Sequence, residues 1–243
     1  MRSERLARTA LALLALVCAW QLRGLALQGG VQTVSGSVVV TGQSAGFSDK
    51  SDVVVWLSPA RDTPRPRATP GRRFRIIQQG KRFQPHVLVV QVGSFVDFPN
   101  LDPIFHNVFS LFDGKRFDLG LYEAGTTRGV SFTRAGICYV FCNIHPDMSA
   151  VVVVVDSPYF ATSTAAGTFS IPEVPTGRYK LSVWHERFRP EDAAEFPKDV
   201  TVASSGVSVG ALRFVEASRV PTPHKNKFGH DYPPPGGTNP LYP

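Results

Sequence analysis

Residues 136–155 read Gly136-Ile-Cys-Tyr-Val-Phe-Cys-Asn-Ile-His-Pro-Asp-Met-Ser-Ala-Val-Val-Val-Val-Val155. The two ends of this stretch, 137–141 and 150–155, are rich in β-branched and aromatic residues and predict strands. The five valines show no polar alternation, which is the pattern of a strand buried on both faces. Between the two runs lies Cys142-Asn-Ile-His145-Pro-Asp-Met148, which puts a thiol, an imidazole and a thioether within seven residues.

Working outward, the same strand signature recurs at short intervals. Residues 34–40 (VSGSVVV), 53–57 (VVVWL), 74–77, 87–92, 95–98, 106–111 (HNVFSL) and 129–132 predict strands, punctuated by Gly80, Pro85, Gly93 and Pro99-Asn100. Residues 58–73, rich in Pro and Arg, read as a loop. A second β unit follows, with strand-like 167–171 (GTFSI), 179–184 (YKLSVW) and 200–202, and a turn at Pro175-Thr176-Gly177. No segment has a helical period, and 20 Pro and 21 Gly favour many short elements. The expected class is all-β, with regularly spaced strands forming a sandwich. Residues 217–243 hold seven prolines and no apolar period, and predict a disordered tail.

Soft sulfur with imidazole selects copper over magnesium or calcium, and a His₂Cys set with a weak axial Met is the blue-copper arrangement. Cys142, His145 and Met148 supply three of the four donors. His106, in Asn100-Leu-Asp-Pro-Ile-Phe-His106-Asn107-Val108, is the candidate for the fourth, at a strand end where a scaffold can hold a ligand. Met148 is the sole methionine besides Met1. Zinc is disfavoured because thioether is not among its usual ligands. Each residue also has an ordinary role open to it: a small buried hydrophobe for Cys142, core filler for Met148, hydrogen-bonded loop residues for the histidines. Their occurrence together and in this order favours the metal reading.

The stretches FQPHVLVVQVGSFVDFPNLDPIFHNVFS and GICYVFCNIHPDMSAVVVVV resemble the cupredoxins, the family of plastocyanin, amicyanin and pseudoazurin, over residues 74–156. The resemblance implies a Greek-key β-sandwich holding one type 1 copper. It implies His106 and His145 as nitrogen ligands, Cys142 as thiolate and Met148 as axial ligand, on a short Cys-x₂-His-x₂-Met loop. Asn107 matches the position whose side chain ties the two ligand loops together. TSTAAGTFSIPEVPTGRYKLSVWHERF resembles the small transthyretin-like, carboxypeptidase regulatory-like sandwich, which speaks to fold and not to catalysis. Its expected first strands are found far upstream as Gly36-Ser-Val38 and Val55-Trp-Leu57. Either 33–60 and 157–216 form one sandwich interrupted by the 74–156 domain, or 33–60 opens the copper domain itself. The interruption is favoured, and the pairing of residues 34–40 decides.

Cys138 lies four residues before Cys142. Along a strand that is roughly 13 Å, too far for shared metals or for a disulfide, whose Cα atoms stand within about 7 Å. Cys138 is therefore expected in the core. His86 and His185 are read as structural, and His224 and His230 as solvated tail residues. Asp97 and Asp102 flank the ligand loop without forming an acid–base pair. No nucleophile motif or phosphate loop is present, so no enzyme is expected.

Residues 1–26 read as a secretory signal: Arg2, Arg5 and Arg8, then an apolar run over 9–20 too short to span a bilayer, then Gly24-Leu25-Ala26 as a cleavage site. An uncleaved anchor is the alternative. Arg2, Arg5, Arg8, Arg23 and Glu4 sum to +3, so the formal charge falls from +7 to +4 on cleavage. That is no argument for nucleic acid, and no later stretch is long enough to cross a membrane. The basic run from Arg61 to Arg82 is a solvated loop or a dock for an acidic redox partner. The expectation is a periplasmic or otherwise exported one-electron carrier. A copper-delivery protein and a metal-free adhesion or carbohydrate-binding module are the alternatives.

Overall fold

The computed structural model describes residues 30–41, 50–66, 71–111, 114–189, 191, 195–215 and 224–232. The signal stretch 1–26 lies outside them. Every named element is a strand. In chain order these are β1 (Val31–Thr41), β2 (Val54–Pro59), β3 (Arg73–Arg75), β4 (Ile77–Gln78), β5 (Phe83–Gln84), β6 (Val87–Gln91), β7 (Ser94–Pro99), β8 (His106–Ser110), β9 (Phe117–Tyr122), β10 (Thr127–Phe132), β11 (Gly136–Phe141), β12 (Ser149–Val155), β13 (Phe160–Thr162), β14 (Thr168–Pro175), β15 (Gly177–Trp184), β16 (Lys198–Val202) and β17 (Val207–Val215). Among the described residues no helix is long and apolar enough to cross a membrane.

Strand pairing sorts them into two sandwiches. In the first, a five-stranded sheet ordered β6-β12-β11-β8-β9 faces the sheet β10-β7-β3. In the second, β13-β2-β15-β16 faces β14-β1-β17. β1 pairs antiparallel with β14 and parallel with β17, and β2 pairs with β13 and β15. The chain thus starts one sandwich, leaves after β2 to build the other, and re-enters through β13, which lies beside β2 with Phe160 opposite Trp56.

Side-chain alternation turns the two sandwiches into one stack of four sheets. Along β12, Ala150, Val152 and Val154 enter the core between the first two sheets, with Val96, Phe98, Val108, Phe132 and Val140. Val151, Val153 and Val155 point the other way and pack with Val87, Val89, Val54, Trp56 and Trp184, joining the sandwiches. β2 repeats the device: Val54 and Trp56 face this junction, while Val55 and Leu57 enter the second core with Tyr179, Leu181 and Phe214. A valine run without polar positions is what a strand between two apolar faces requires. Each such side chain contributes roughly 1.5–3 kcal/mol through burial.

A polar contact supplements the apolar junction. His86 Nδ1 lies 3.1 Å from the carbonyl oxygen of Ser149, and its Nε2 lies 2.9 Å from Glu186 Oε2 beyond β15. Both partners only accept, so both contacts are hydrogen bonds when the ring is doubly protonated and cationic. The hydrogen bond to Glu186 raises the pKa of His86 above 6.5, against the opposing effect of burial. A raised folded-state pKa stabilises at and below the unfolded value and is lost as pH rises through the folded one. The pair is partly exposed, so screening keeps its worth below about 1 kcal/mol. Urea midpoints measured from pH 6 to pH 9 should fall further in the wild type than in Glu186→Gln; equal falls would mean that the pair contributes nothing.

Candidate metal centre

The site forms where the β11–β12 ladder ends. The ladder runs from Gly136 opposite Val154 to Phe141 opposite Ser149. The next residues close a tight loop: the Cys142 N–H donates to the Met148 carbonyl at 3.1 Å, and the Met148 N–H to that of His145 at 3.2 Å. β8 lies on the other side of β11, with Phe109 opposite Phe141, and brings His106 up to the loop.

Here the three expected donors meet. Cys142 Sγ lies 3.9 Å from His106 Nδ1 and 3.5 Å from His145 Nδ1, and all three atoms stand within 4.8 Å of one another. The imidazole rings are 4.9 Å apart at 61°. Cys142, His106 and Met148 are fully buried, and His145 is half-buried. Met148 shares the core cluster of Cys142.

The donor set, two imidazoles and a thiol converging on one point, fits a metal. His106 Nε2 lies 2.8 Å from Asp102 Oδ2. Asp102 also accepts the N–H groups of Gly80 at 2.7 Å and Lys81 at 2.9 Å. Burial opposes its charge, but the N–H groups of Lys81, His106 and Gly80 outweigh it and hold the carboxyl below its ordinary range. An ionised carboxylate only accepts, so Nε2 of His106 carries a proton toward Asp102, and Nδ1 is the ring nitrogen turned to the sulfur. Two atoms bound at about 2.0 and 2.3 Å to one ion, near 120° apart, are separated by about 3.7 Å, between the two observed spacings.

Burial raises the pKa of the Cys142 thiol, opposed by the backbone N–H groups of Asn107, Ile144 and His145. Burial lowers that of His145 to about 4, helped by the positive fields of His106 and Lys81 and opposed by Asp102. At neutral pH, His145 is thus uncharged.

Asn107 is buried on β8, but its side chain does not bridge to the ligand loop: Nδ2 donates to Asp118 on β9 at 2.7 Å. It is the backbone N–H of Asn107 that faces the Cys142 sulfur. Cys138 is a free, buried thiol opposite Val152, with Sγ 3.3 Å from Ser110 Oγ, and is not among the clustered donors.

Residues 224–232 correct the expectation of a featureless tail over 217–243; the remainder of that stretch lies outside the described residues. They fold over the ligand loop. Tyr232 Oη donates to the Cys142 carbonyl at 2.7 Å, the Lys227 N–H to Asn143 Oδ1 at 2.9 Å, and His224 Nε2 to the Pro146 carbonyl at 2.6 Å. The His224 ring stacks on Phe141 with centroids 4.0 Å apart, and Lys227 Nζ pairs with Asp118 at 2.7 Å. His224 is therefore a structural partner of the loop rather than a solvated residue. The signal available in the sequence was the run His224-Lys-Asn-Lys-Phe-Gly-His-Asp-Tyr232, polar and aromatic between proline clusters.

No family model matches the chain, and no curated protein matches it. Among solved structures it is similar to a purple cupredoxin from Nitrosopumilus maritimus, at 25% identity over 33% of this chain and 98% of that one, with TM-score 0.31. A Cu(I) structure of an amicyanin mutant gives 22% identity over 34% of this chain and 82% of that one, with TM-score 0.33. A Cu-containing nitrite reductase from Thermus scotoductus SA-01 gives 19% identity over 49% and 28%, with TM-score 0.33. The sandwich itself rests on the strand pairing above.

Tyr232→Phe removes one donor to the loop and should cost about 1 kcal/mol. A chain ending at residue 223 should lose more and exchange the amides of 142–148 faster. Denaturant midpoints and hydrogen exchange measure this; unchanged protection in the shortened chain would show that the tail does not hold the loop.

Proposed function

We propose that this chain is an exported type 1 copper protein that carries single electrons between redox partners. The observation carrying the reading is the convergence of His106 Nδ1, Cys142 Sγ and His145 Nδ1 within 4.8 Å in the core of a β-sandwich, with Met148 buried in the same cluster. Copper held by these residues would supply a one-electron couple. The residues' own part is to keep the donors in place. His106 opens a strand, Cys142 follows one, and the loop between Cys142 and Met148 is closed by its own backbone bonds. A site that need not rearrange suits transfer of an electron rather than of a substrate.

His145 is the half-buried donor and so the natural edge for an electron to enter or leave. Lys81 is exposed, yet its charge reaches His145. The basic run from Arg61 to Arg82 therefore ends beside the site, which supports docking of an acidic redox partner. Arg73 in that run is already paired with Asp97 at 2.6 Å. Delivery of copper to another protein would want an exchangeable site, and two buried donors with a buried Met beside them disfavour it.

The test is optical. Purified protein given one equivalent of Cu(II) should develop an intense blue thiolate-to-copper absorption. Cys142→Ser should abolish it, and Met148→Leu should keep colour while shifting the reduction potential. A colourless wild type, or colour surviving in Cys142→Ser, would sink the reading.

A further inference from the structure

The two imidazoles are not equivalent. The half-buried His145 rides on the loop, while His106 is sealed and backed by a carboxylate. That carboxylate is held from several sides. Oδ1 takes the Gly80 N–H at 2.7 Å, Oδ2 takes the Lys81 N–H at 2.9 Å together with His106, and the Asp102 N–H is anchored on Asn100 Oδ1 at 3.1 Å. Asn100 Nδ2 is fixed in turn by the carbonyls of Ile104 at 2.8 Å and Tyr122 at 3.2 Å. The turn between β4 and β5 aims its two amides at Asp102 by placing Gly80 at φ 64° and Lys81 at φ 55°. For lysine that left-handed conformation is unfavourable, and the two N–H bonds to Asp102 help to hold it.

We propose that Asp102 is the positioning residue for His106 and that it lowers the reduction potential of the copper site; this rests on the copper reading above. Two effects act in the same direction. A carboxylate behind the imidazole fixes the tautomer and strengthens Nδ1 as a donor. Its fixed negative charge in a buried environment stabilises the more positive metal state. One electron arrives from the reduced partner and one leaves to the oxidised partner. The exchange calls for no proton, and the Nε2 of His106 faces Asp102 Oδ2 at 2.8 Å. Asp102 touches no reacting atom and acts through His106 alone.

Two measurements on the full chain decide it. In copper-loaded protein, Asp102→Asn keeps nearly the same shape but removes the charge. Its Cu(I) form should gain about ten-fold over Cu(II) relative to wild type, a rise of about 59 mV for a one-electron couple. Unchanged potential, with copper bound in both proteins, overturns the proposal. In the metal-free wild type, nitrogen-15 NMR should show His106 as a single tautomer protonated at Nε2. A mixed or Nδ1-protonated ring overturns the positioning role, whether or not Asp102→Asn folds. A wild type that takes up no copper overturns the copper reading, and the effect on potential with it, while the NMR result still decides the orientation of His106.

Discussion

The register between β11 and β12 is the constraint on which the half carrying His106, Cys142 and His145 depends. Cys138 opposite Val152 and Val140 opposite Ala150 put alternate residues of both strands into one core. The strand period is two, so a slip of one residue would exchange faces along the whole strand. Ala150, Val152 and Val154 would then face the junction with Val54 and Trp56, so both layers would stay apolar and it is the side-chain fit, not the apolar character, that the slip would cost. β6 locks β12 from the other side, from Val87 opposite Val151 to Gln91 opposite Val155. The ligand loop begins where this ladder stops, so the position of Cys142 is set by packing remote from it.

At the site, burial and hydrogen bonding pull against each other. Burial favours the neutral forms of Cys142 and His145 and disfavours the charge on Asp102. The N–H groups of Asn107, Ile144 and His145 around the sulfur favour a thiolate, and those of Gly80 and Lys81 sustain the carboxylate. A cation arriving among these donors finds two imidazole nitrogens and a thiol whose anion is already provided with donors. A buried site is disposed to accept a positive charge only when such groups are placed before the ion arrives.

How much of this was legible in the sequence follows from which signals are local. The β-branched runs at 34–40, 87–92 and 150–155 announce strands by themselves, and all-β architecture follows. The donors of the 142–148 loop are legible because short spacing limits how far apart they can lie. β9 was not, since Phe117-Asp-Leu-Gly-Leu-Tyr122 is broken by Asp and Gly, residues depleted in strands, and is held by pairing with β8. β17, whose exposed and buried positions alternate irregularly, is likewise held by parallel pairing with β1. Asp102 was visible beside the ligand loop, but its bond to His106 depends on the β4–β5 turn, more than twenty residues away. Asn107 shows the converse. Its place beside the ligands was legible, while its side-chain partner, Asp118, lies on the strand the sequence concealed.

The tail follows from an obligation that the ligand loop creates. A loop that must carry side-chain donors inward turns backbone groups outward from the ladder, and near a buried site such groups still need partners. The Cys142 and Pro146 carbonyls are such groups, with the Asn143 side chain beside them, and Tyr232, His224 and the Lys227 amide supply their partners. A proline-rich, polar segment cannot bury enough apolar area to fold alone. It is ordered where the loop offers acceptors, Phe141 offers a ring face and Asp118 a charge. Asp118 also takes the Asn107 side chain, so the same carboxylate ties the tail to the strand that carries His106. Loop, the strand that carries His106, and tail thus share one set of polar contacts, which meets the chain at the Cys142 carbonyl.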